Sequence, residues 1–521
     1  MSKKIKNFFH SLKSNRYHWL LLVLTLLHLL PIWMFTYLPT QDGPCHLENA
    51  FMLSHYSDAD RTYQRYYEIN SDPVPNWFSH LVLASLMAFV PPLIAEKILI
   101  TVYIILFVCA IYYLLNAVDS SKTFYVLLAF PFIYNYPFHM GFYNFSVSVP
   151  LLFIVIGYWW KRRKILHWRT FLGLNLLLIF LYFCHIISLV IALMAIFILA
   201  TLQHRLKFYK VLYLAFALIP SYLLPAHFIY SRGTEYSYFW PFDRLWYHFI
   251  SIGSLTSYSR NEYYLGKMIA ILFALLALYT LLPHLNMFTS RNKLDNKDKK
   301  PSVQFKADDG FFIVLIFCIA LYFFMPNKMS EGAYLTARLN LYPFLMTLPW
   351  LNSDFRKPVI KYAIGVIFIA LTLIHLAYTV YYYKVLNDGL NEYTSGIPFV
   401  KKNETILPLS FDHRGSSLRI GTYRHAVGYY CMEAGTIELY NYQGNKGYFP
   451  LNYKAEMNPF TIIENLEKID PSNTNLLKYP ELIDYILIWG QKEEAPVLKL
   501  VKQNYRLIHQ NRRLRLYKRR E

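Results

Sequence analysis

Charged residues are scarce in this chain. Asp, Glu, Lys and Arg account for 16% of its 521 residues, whereas hydrophobic types account for 55% and aromatic types for 18%. Ordinary soluble domains carry about 25% charged residues. The composition therefore excludes a typical soluble enzyme and predicts a membrane protein.

Cysteine is also scarce. The chain contains only Cys45, Cys109, Cys184, Cys318 and Cys431. Their spacing matches neither a disulfide framework nor a zinc motif, in which cysteines recur within about two to four residues of each other. We interpret all five as packing residues.

Acidic residues are fewer than basic ones, 32 against 52, so the formal charge is +20. A nucleic-acid-binding protein gathers its basic residues on one soluble face. Here most of them stand in short clusters beside apolar runs, where they indicate membrane topology. The expected partner is the lipid bilayer and not nucleic acid.

Long apolar runs dominate the first three quarters of the chain. A helix needs about 20 residues to cross a hydrocarbon layer of about 30 Å. The runs predict an α-helical polytopic membrane protein with about 10–12 membrane helices. They cover 17–38, 77–93, 95–116, 122–138, 143–160, 166–203, 211–230, 264–283, 310–325, 339–352 and 358–383. The run 166–203 is too long for one crossing and is expected to be a hairpin with His185 near its turn.

The charge pattern predicts the orientation. The first span follows the basic residues Lys3, Lys4, Lys6, Lys13 and Arg16. Such clusters stay in the cytoplasm. We therefore expect a multi-pass protein of the cell (inner) membrane with a cytoplasmic N-terminus and with loop 39–76 on the outer side.

One apolar segment between 77 and 160 is expected not to cross, because the basic cluster 161–164 would otherwise lie outside. Two alternatives remain open. Segment 129–145 has two prolines, a glycine and many aromatic residues, and it could form a re-entrant piece. Segment 77–93 could instead lie flat on the membrane surface.

The composition changes after residue 383, where charged residues return. Short apolar runs at 404–411 and 482–490 predict buried strands, 495–504 predicts a helix, and 505–519 predicts a hairpin. We therefore divide the chain into a transmembrane domain, 1–383, and an extracytoplasmic α/β domain, 384–521.

Three candidate catalytic residues follow the first span. The stretch "QDGPCHLENA" contains Asp42, His46 and Glu48, with a Gly-Pro turn that leads into a helix. An aspartate fixed at the membrane surface can deprotonate an acceptor hydroxyl as a general base, and His46 or Glu48 could orient it or transfer a second proton. The structural alternative is that Asp42 only caps the helix.

This arrangement resembles the GT-C superfamily of membrane glycosyltransferases, which includes protein O-mannosyltransferases and lipid A aminoarabinose transferases. The resemblance covers the whole architecture, and "QDGPCH" is its only motif. It implies an acidic catalytic residue in the first outer loop and a sugar donor linked to polyprenyl phosphate. Many members have two adjacent acids, whereas Gln41 and Gly43 flank Asp42 here. No cofactor is assigned, and a role for a divalent cation stays open.

The resemblance also implies a cation that holds the donor phosphate in a late outer loop. Arg338 occupies such a position and Lys328 is the second candidate. An arginine at a helix end can also simply extend its charge to the interface. Further polar residues at the same expected face are candidates for the substrate cavity, although aromatic and polar groups there can also be interface anchors. They are His139, Tyr143, Asn144 and His185.

The expected function is an inverting transfer of a sugar from a polyprenyl-phosphate donor to a glycan, lipid or protein acceptor at the outer face of the membrane. A ligase or polymerase of lipid-linked oligosaccharides is an alternative, but such enzymes concentrate their key residues in a large late loop. A transporter or flippase would carry ionisable residues at the membrane midplane and repeated halves. A scaffold without catalytic activity is the remaining class.

Overall fold

The computed structural model describes residues 16–165, 167–203, 207–232, 236–290, 307–329, 332–463, 466, 480–490 and 495–520. The basic residues between positions 3 and 13, on which the predicted orientation depends, lie outside these ranges.

The described chain is mostly helical. Its helices are α1 (Arg16–Met34), α2 (Gly43–Ser54), α3 (Phe78–Met87), α4 (Pro92–Val118), α5 (Tyr143–Arg162), α6 (Trp168–Cys184), α7 (Ile186–Gln203), α8 (Phe208–Ala217), α9 (Ile219–Arg232), α10 (Phe242–Ile250), α11 (Asn261–Ser290), α12 (Gly310–Phe324), α13 (Leu335–Leu339), α14 (Leu341–Thr347), α15 (Pro358–Thr394), α16 (Gly428–Glu433) and α17 (Pro496–Asn504). Single helical turns lie at Tyr63–Tyr66, Tyr136–His139 and Pro459–Ile462.

Seven of the described helices are long and apolar enough to span a membrane: α1, α4, α5, α7, α11, α12 and α15. The pair α8 and α9 adds an eighth if the two count as one span, although they meet at an angle of 66°. Helices α3 and α6 are apolar but shorter. The predicted class of a helical protein with several potential membrane spans is confirmed, whereas the described residues provide fewer long helices than expected.

Three expected spans differ from the structure. Segment 122–138 forms a 3₁₀ helix, Ser120–Phe132, and then the turn Tyr136–His139, because prolines interrupt it. The irregular backbone expected within 129–145 is therefore present, and it is buried in protein. Segment 339–352 contains only the seven-residue α14, and 77–93 contains the ten-residue α3.

The long run 166–203 is divided into α6 and α7, as predicted. The break falls at His185, whose backbone is extended, with φ −167° and ψ 128°. His185 therefore lies at the junction of two apolar helices.

Nine strands lie in the described part of the chain: β1 (Tyr67–Ile69), β2 (Ser237–Tyr238), β3 (Lys328–Met329), β4 (Thr405–Ser410), β5 (Ile437–Glu438), β6 (Leu451–Tyr453), β7 (Tyr485–Trp489), β8 (Tyr505–Asn511) and β9 (Leu514–Arg519). Five of them form one sheet in the order β5-β4-β7-β9-β8. Strand β4 is parallel to β5 and β7, and the pairs β7–β9 and β8–β9 are antiparallel. The predicted strands, hairpin and helix α17 are confirmed.

The sheet packs directly on the helices. Alternate residues of β7 point to opposite faces, as in any strand. Tyr485, Leu487 and Trp489 join the large hydrophobic core that contains the helices, whereas Ile486 and Ile488 join a smaller core with α17. Strand β1 of the first loop also pairs with β6 in antiparallel register. The C-terminal region and the first loop, which contains α2, therefore pack together as one continuous structure.

Candidate functional site

Asp42 occupies the N-cap position of helix α2. Its backbone oxygen accepts a hydrogen bond from the His46 amide at 3.0 Å. Its side chain, however, makes no capping hydrogen bond. The cap alternative thus lacks the interaction that would stabilise the helix, and the carboxylate has other partners.

The irregular segment after the 3₁₀ helix fixes the backbone of this acid. The amides of Gln41 and Asp42 donate to the carbonyls of His139 and Met140, each at 3.0 Å. The next residue, Gly141, has φ +82°, and a Cβ atom there would lie 2.4 Å from the Gly43 nitrogen. Only glycine permits this close approach with a positive φ. The segment therefore holds Asp42 in place through its backbone.

The Asp42 side chain has partners both in the adjacent residue and in the C-terminal region, and Asp42 is only 6% exposed. Gln41 donates from Nε2 to Oδ1 and Tyr442 donates from its hydroxyl to Oδ2, both at 3.0 Å. The Nε2 atom of His425 lies 3.7 Å from Oδ1. The sequence analysis missed His425 and Tyr442 because no local pattern connects them to a residue about 400 positions earlier.

Burial raises the pKa of Asp42 above its usual value. Hydrogen bonds from Gln41 and Tyr442 and the charges of Arg424 and Arg338 act in the opposite direction. Burial and the charge of Arg424 keep the pKa of His425 well below its usual value. His425 is therefore neutral at pH 7, and its contact with Asp42 is not an ion pair. Because burial raises its pKa, Asp42 is a stronger base than an exposed aspartate.

A cavity of about 400 Å³ lies beside this network. Its polar lining includes His46, Asn144, His185, Arg338 and Tyr442, so four predicted site residues share one cavity with the tyrosine that contacts Asp42. Most of the remaining lining is apolar and comes largely from α7, α9, α12 and the segments that flank them. Asp42 itself is not among the lining residues, but Tyr442 in the lining contacts it. The cavity thus combines a few polar side chains with apolar walls formed by helices, which suits an amphiphilic ligand.

Arg338 contributes a cation to this cavity. Its guanidinium stacks on the ring of Phe142, with 4.1 Å from Cζ to the ring centroid, and donates one hydrogen bond to the Ala333 carbonyl. The Nε atom is buried and has no hydrogen-bond partner among the described residues. Because Arg338 affects the pKa of Asp42 through its charge, the two groups share one electrostatic environment. Arg338 is therefore able to accept an anionic ligand.

His46 lines the cavity, and among the described residues its side chain makes no hydrogen bond to the Asp42 carboxylate. Its Nδ1 lies 3.2 Å from Nε2 of His80 and 3.0 Å from Nε2 of Gln443. Burial and the neighbouring imidazoles of His80 and His425 keep the pKa of His46 well below its usual value. His46 is thus a neutral member of a hydrogen-bonded group in the cavity wall.

Besides Asp42 and Glu48, three other predicted residues lie outside the cavity lining. The Tyr143 hydroxyl donates to Glu96. The Nδ1 atom of His139 pairs with the Ser257 hydroxyl at 2.8 Å. Lys328 is exposed on strand β3, next to the lining residue Met329. Their predicted roles stay predictions, and their positions favour structural support for the first two.

Glu48 and Asn144 have specific local environments. The Asn144 amide accepts from the Ser79 backbone at 2.7 Å and donates to the Asn76 carbonyl at 2.8 Å, so it supports the start of α3. Glu48 is fully buried beside Cys431 and Glu438. Among the described residues, Glu48 makes no hydrogen bond to Asp42, with which it was predicted to act.

A second cavity of about 590 Å³ shares Tyr334 with the first. Its basic lining residues are Arg244, Arg260, Lys267, Arg414 and Arg419. The other described lining residues are mostly aromatic, and none of them is acidic. Such a surface attracts anions and provides rings for stacking.

Fold and site together define a multi-helix protein, several of whose helices could span a membrane. An arginine lines its amphiphilic cavity, together with a tyrosine that contacts a buried aspartate. No protein-family model matches the chain, and the comparison with curated proteins finds no match.

Proposed function

We propose that this protein is a GT-C-like membrane glycosyltransferase that transfers a sugar from a polyprenyl-phosphate donor to an acceptor hydroxyl. One observation carries the proposal. Arg338 lines a cavity whose walls are mostly apolar, and the Tyr442 hydroxyl in the same lining donates a hydrogen bond to the Asp42 carboxylate. A donor with a charged phosphate and a long hydrocarbon chain has the same division into a polar and an apolar part.

In this reaction Asp42 accepts the proton of the acceptor hydroxyl while the oxygen attacks the anomeric carbon of the donor sugar. The new C–O bond forms as the bond from that carbon to the phosphate oxygen breaks. Polyprenyl phosphate leaves with the bonding electrons, and Arg338 stabilises its negative charge. Attack from the face opposite the phosphate inverts the anomeric configuration.

The apolar wall suits the lipid part of the donor. Residues such as Val190 of α7 and Leu321 of α12 line the cavity, and both helices are apolar enough to lie in a membrane. The lipid chain would pass between such helices while the sugar stays near Asp42. We place this site at the outer face of the cytoplasmic membrane, in agreement with the charge pattern of the sequence.

We assign the second cavity, which is lined by arginine, lysine and aromatic residues, to binding of the acceptor. Arg244, Arg260 and Lys267 line it without an acidic neighbour among the described lining residues. Because Tyr334 borders both cavities, an acceptor bound there could extend one hydroxyl towards Asp42. This arrangement favours a glycan or lipid acceptor that carries phosphate or carboxylate groups.

Transfer assays with purified protein test the proposal. The protein in detergent is incubated with a panel of radiolabelled polyprenyl-phosphate sugars and with pairs of acceptors that differ only in an acidic group. We expect transfer from at least one donor, with the acidic acceptor preferred. Translocation of a polyprenyl-phosphate sugar across liposomes without any transfer product would favour a flippase and contradict the proposal.

The pH dependence of kcat/KM follows from the role of Asp42. A general base must be deprotonated, so the rate falls as the pH falls through the pKa of the base. Because the pKa of Asp42 is raised, we expect this fall at a higher pH than for an exposed aspartate. Replacing Tyr442 with Phe removes a hydrogen bond that lowers this pKa, and it should shift the acidic limb to still higher pH.

The measurement is log(kcat/KM) against pH for the wild type and for Tyr442→Phe. Tyr381→Phe is the matched control, because Tyr381 is exposed on α15. A shift of the limb to lower pH in Tyr442→Phe, or a rate that does not depend on acidity, would argue against Asp42 as the base.

A further inference from the structure

Three side chains of the kinds that bind metal ions meet next to helix α2, which begins directly after Asp42. Glu48 of α2, Cys431 of α16 and Glu438 of β5 place one ligand atom each within 4.8 Å of one another. All three residues are fully buried, with at most 1% exposure. They come from the first loop and from two elements of the C-terminal region, so only the tertiary fold brings them together.

Within the described chain, the two carboxyl groups have no partner outside this cluster. None of the four oxygens of Glu48 and Glu438 has a hydrogen-bond donor among the other described residues, and Glu48 interacts with Glu438 and Cys431. Neither residue forms a salt bridge within the same ranges. A buried charge without a partner is very unfavourable, so buried acids are paired, protonated or bound to a metal. Two such carboxyl groups beside a thiol therefore either share a proton or bind a cation.

We propose that Glu48, Cys431 and Glu438 bind one Zn²⁺ ion. A thiolate and two carboxylates form a mixed sulfur and oxygen set, which zinc accepts, whereas Mg²⁺ and Ca²⁺ prefer oxygen ligands alone. The ion compensates the negative charge of the two carboxylates and the thiolate. Binding releases the thiol proton and any proton that the carboxyl groups hold.

The geometry fits after a modest movement of the side chains. In a tetrahedral site with bonds of about 2.0–2.3 Å, two ligand atoms of one zinc ion lie roughly 3.3–3.8 Å apart. The ligand atoms here lie within 4.8 Å of one another, so a closure of at most about 1.5 Å brings them to these distances. Cys45 is not one of the clustered ligand residues, and its Sγ donates a hydrogen bond to Oδ1 of Asn441 at 3.3 Å. The Sγ atom of Cys431 accepts a hydrogen bond from the Thr436 hydroxyl at 3.4 Å, which a thiolate ligand can also do. Three protein ligands leave a fourth tetrahedral position for a small ligand such as water.

The site would fasten α2 to the C-terminal region. Helix α16 already approaches α2 closely, since a Cβ atom on Gly428 would lie 2.7 Å from the Pro44 carbonyl oxygen. Asp42 stands at the N-terminus of α2, and Tyr442 comes from the C-terminal region. A metal that joins these two parts stabilises the position of the aspartate without touching the substrate.

Metal analysis of the full-length protein in detergent tests the proposal independently of any transfer assay. After incubation with Zn²⁺ and removal of the excess, mass spectrometry should find about one zinc ion per chain. A strong chelator should lower Tm by about 5 °C or more, and Zn²⁺ but not Mg²⁺ should restore it. In Co²⁺-loaded protein, a near-ultraviolet band from sulfur-to-metal charge transfer should appear.

Single substitutions locate the ion. Glu48→Gln, Glu438→Gln and Cys431→Ser should each lose the zinc and the response of Tm to the chelator, and Cys431→Ser should also lose the cobalt band. Cys184→Ser is the matched control, because Cys184 is a buried thiol outside the ligand set and should leave all three readouts unchanged.

A zinc content near zero in the wild type, with no effect of the chelator, would overturn the proposal. In that case the two carboxyl groups share a proton, and Glu438→Gln should preserve or raise Tm. Zinc that persists in all three ligand variants would show an adventitious ion and would also overturn it.

Discussion

Replacing Asp42 with Asn should abolish glycosyl transfer and leave the protein folded. Asn has nearly the same shape but cannot accept a proton from the acceptor hydroxyl. Loss of a general base lowers a rate by roughly 10²- to 10⁴-fold, so we expect a comparable fall in kcat with little change in the KM for the donor. The measurement is transfer of radiolabelled sugar by protein with unchanged Tm and elution volume.

The structure gives a reason why the fold should tolerate this change. The Asp42 side chain accepts from Gln41 and Tyr442 and makes no capping bond to α2. Asn retains one acceptor oxygen for these donors and removes the cost of a buried charge. The matched control is Asp58→Asn, an exposed acid of the same loop, which should keep full activity. Wild-type activity of Asp42→Asn would eliminate this mechanism.

Local sequence patterns, together with the resemblance to GT-C enzymes, were sufficient to select Asp42 and Arg338 as candidates. An acid directly after an apolar run and an arginine directly before another are visible without any tertiary information. The Gly-Pro pair after Asp42 also predicts the start of α2, since proline is favoured in the first turn of a helix. The structure then places Arg338 in the cavity and Asp42 next to it.

Glu48 illustrates where a local pattern is misleading. The sequence places it near Asp42, but a helix turns by about 100° per residue. His46 therefore points within about 40° of the direction of Asp42, whereas Glu48 points about 120° away from it. The structure agrees, because His46 lines the cavity and Glu48 faces Cys431. Helical periodicity would have separated these two candidates.

The remaining site residues depend on contacts that are distant in sequence. Strand β1 (Tyr67–Ile69) pairs with β6 (Leu451–Tyr453), which is far from it in sequence. This pairing joins the first loop, which contains α2, to the C-terminal region. Tyr442, His425 and Cys431 reach their partners only through that arrangement. No single-sequence pattern encodes it, since the strands are only three residues long. The interpretation of Cys431 as a packing residue reflects the same limit.

Replacing Arg338 with Ala should mainly weaken binding of the donor. The guanidinium has a buried Nε without a hydrogen-bond partner in the described chain, and it lines the cavity near Asp42. A hydrogen bond to a charged group contributes about 1.5–3 kcal/mol, so Kd for polyprenyl phosphate should rise roughly 10- to 100-fold. Arg338→Lys should lie between, because lysine keeps the charge but not the planar fork. Titration of the purified protein with polyprenyl phosphate measures this.

The controls separate the two candidate phosphate ligands. Lys384→Ala removes an exposed cation of α15 and should leave Kd unchanged. Lys328→Ala is the rival experiment, because Lys328 stands on β3 beside the cavity lining. If Lys328 held the phosphate, its removal would weaken binding while Arg338→Ala would not. That result would place the donor phosphate at the exposed edge of the cavity. The cavity would then not bring the phosphate close to Asp42, and the proposed mechanism would be wrong.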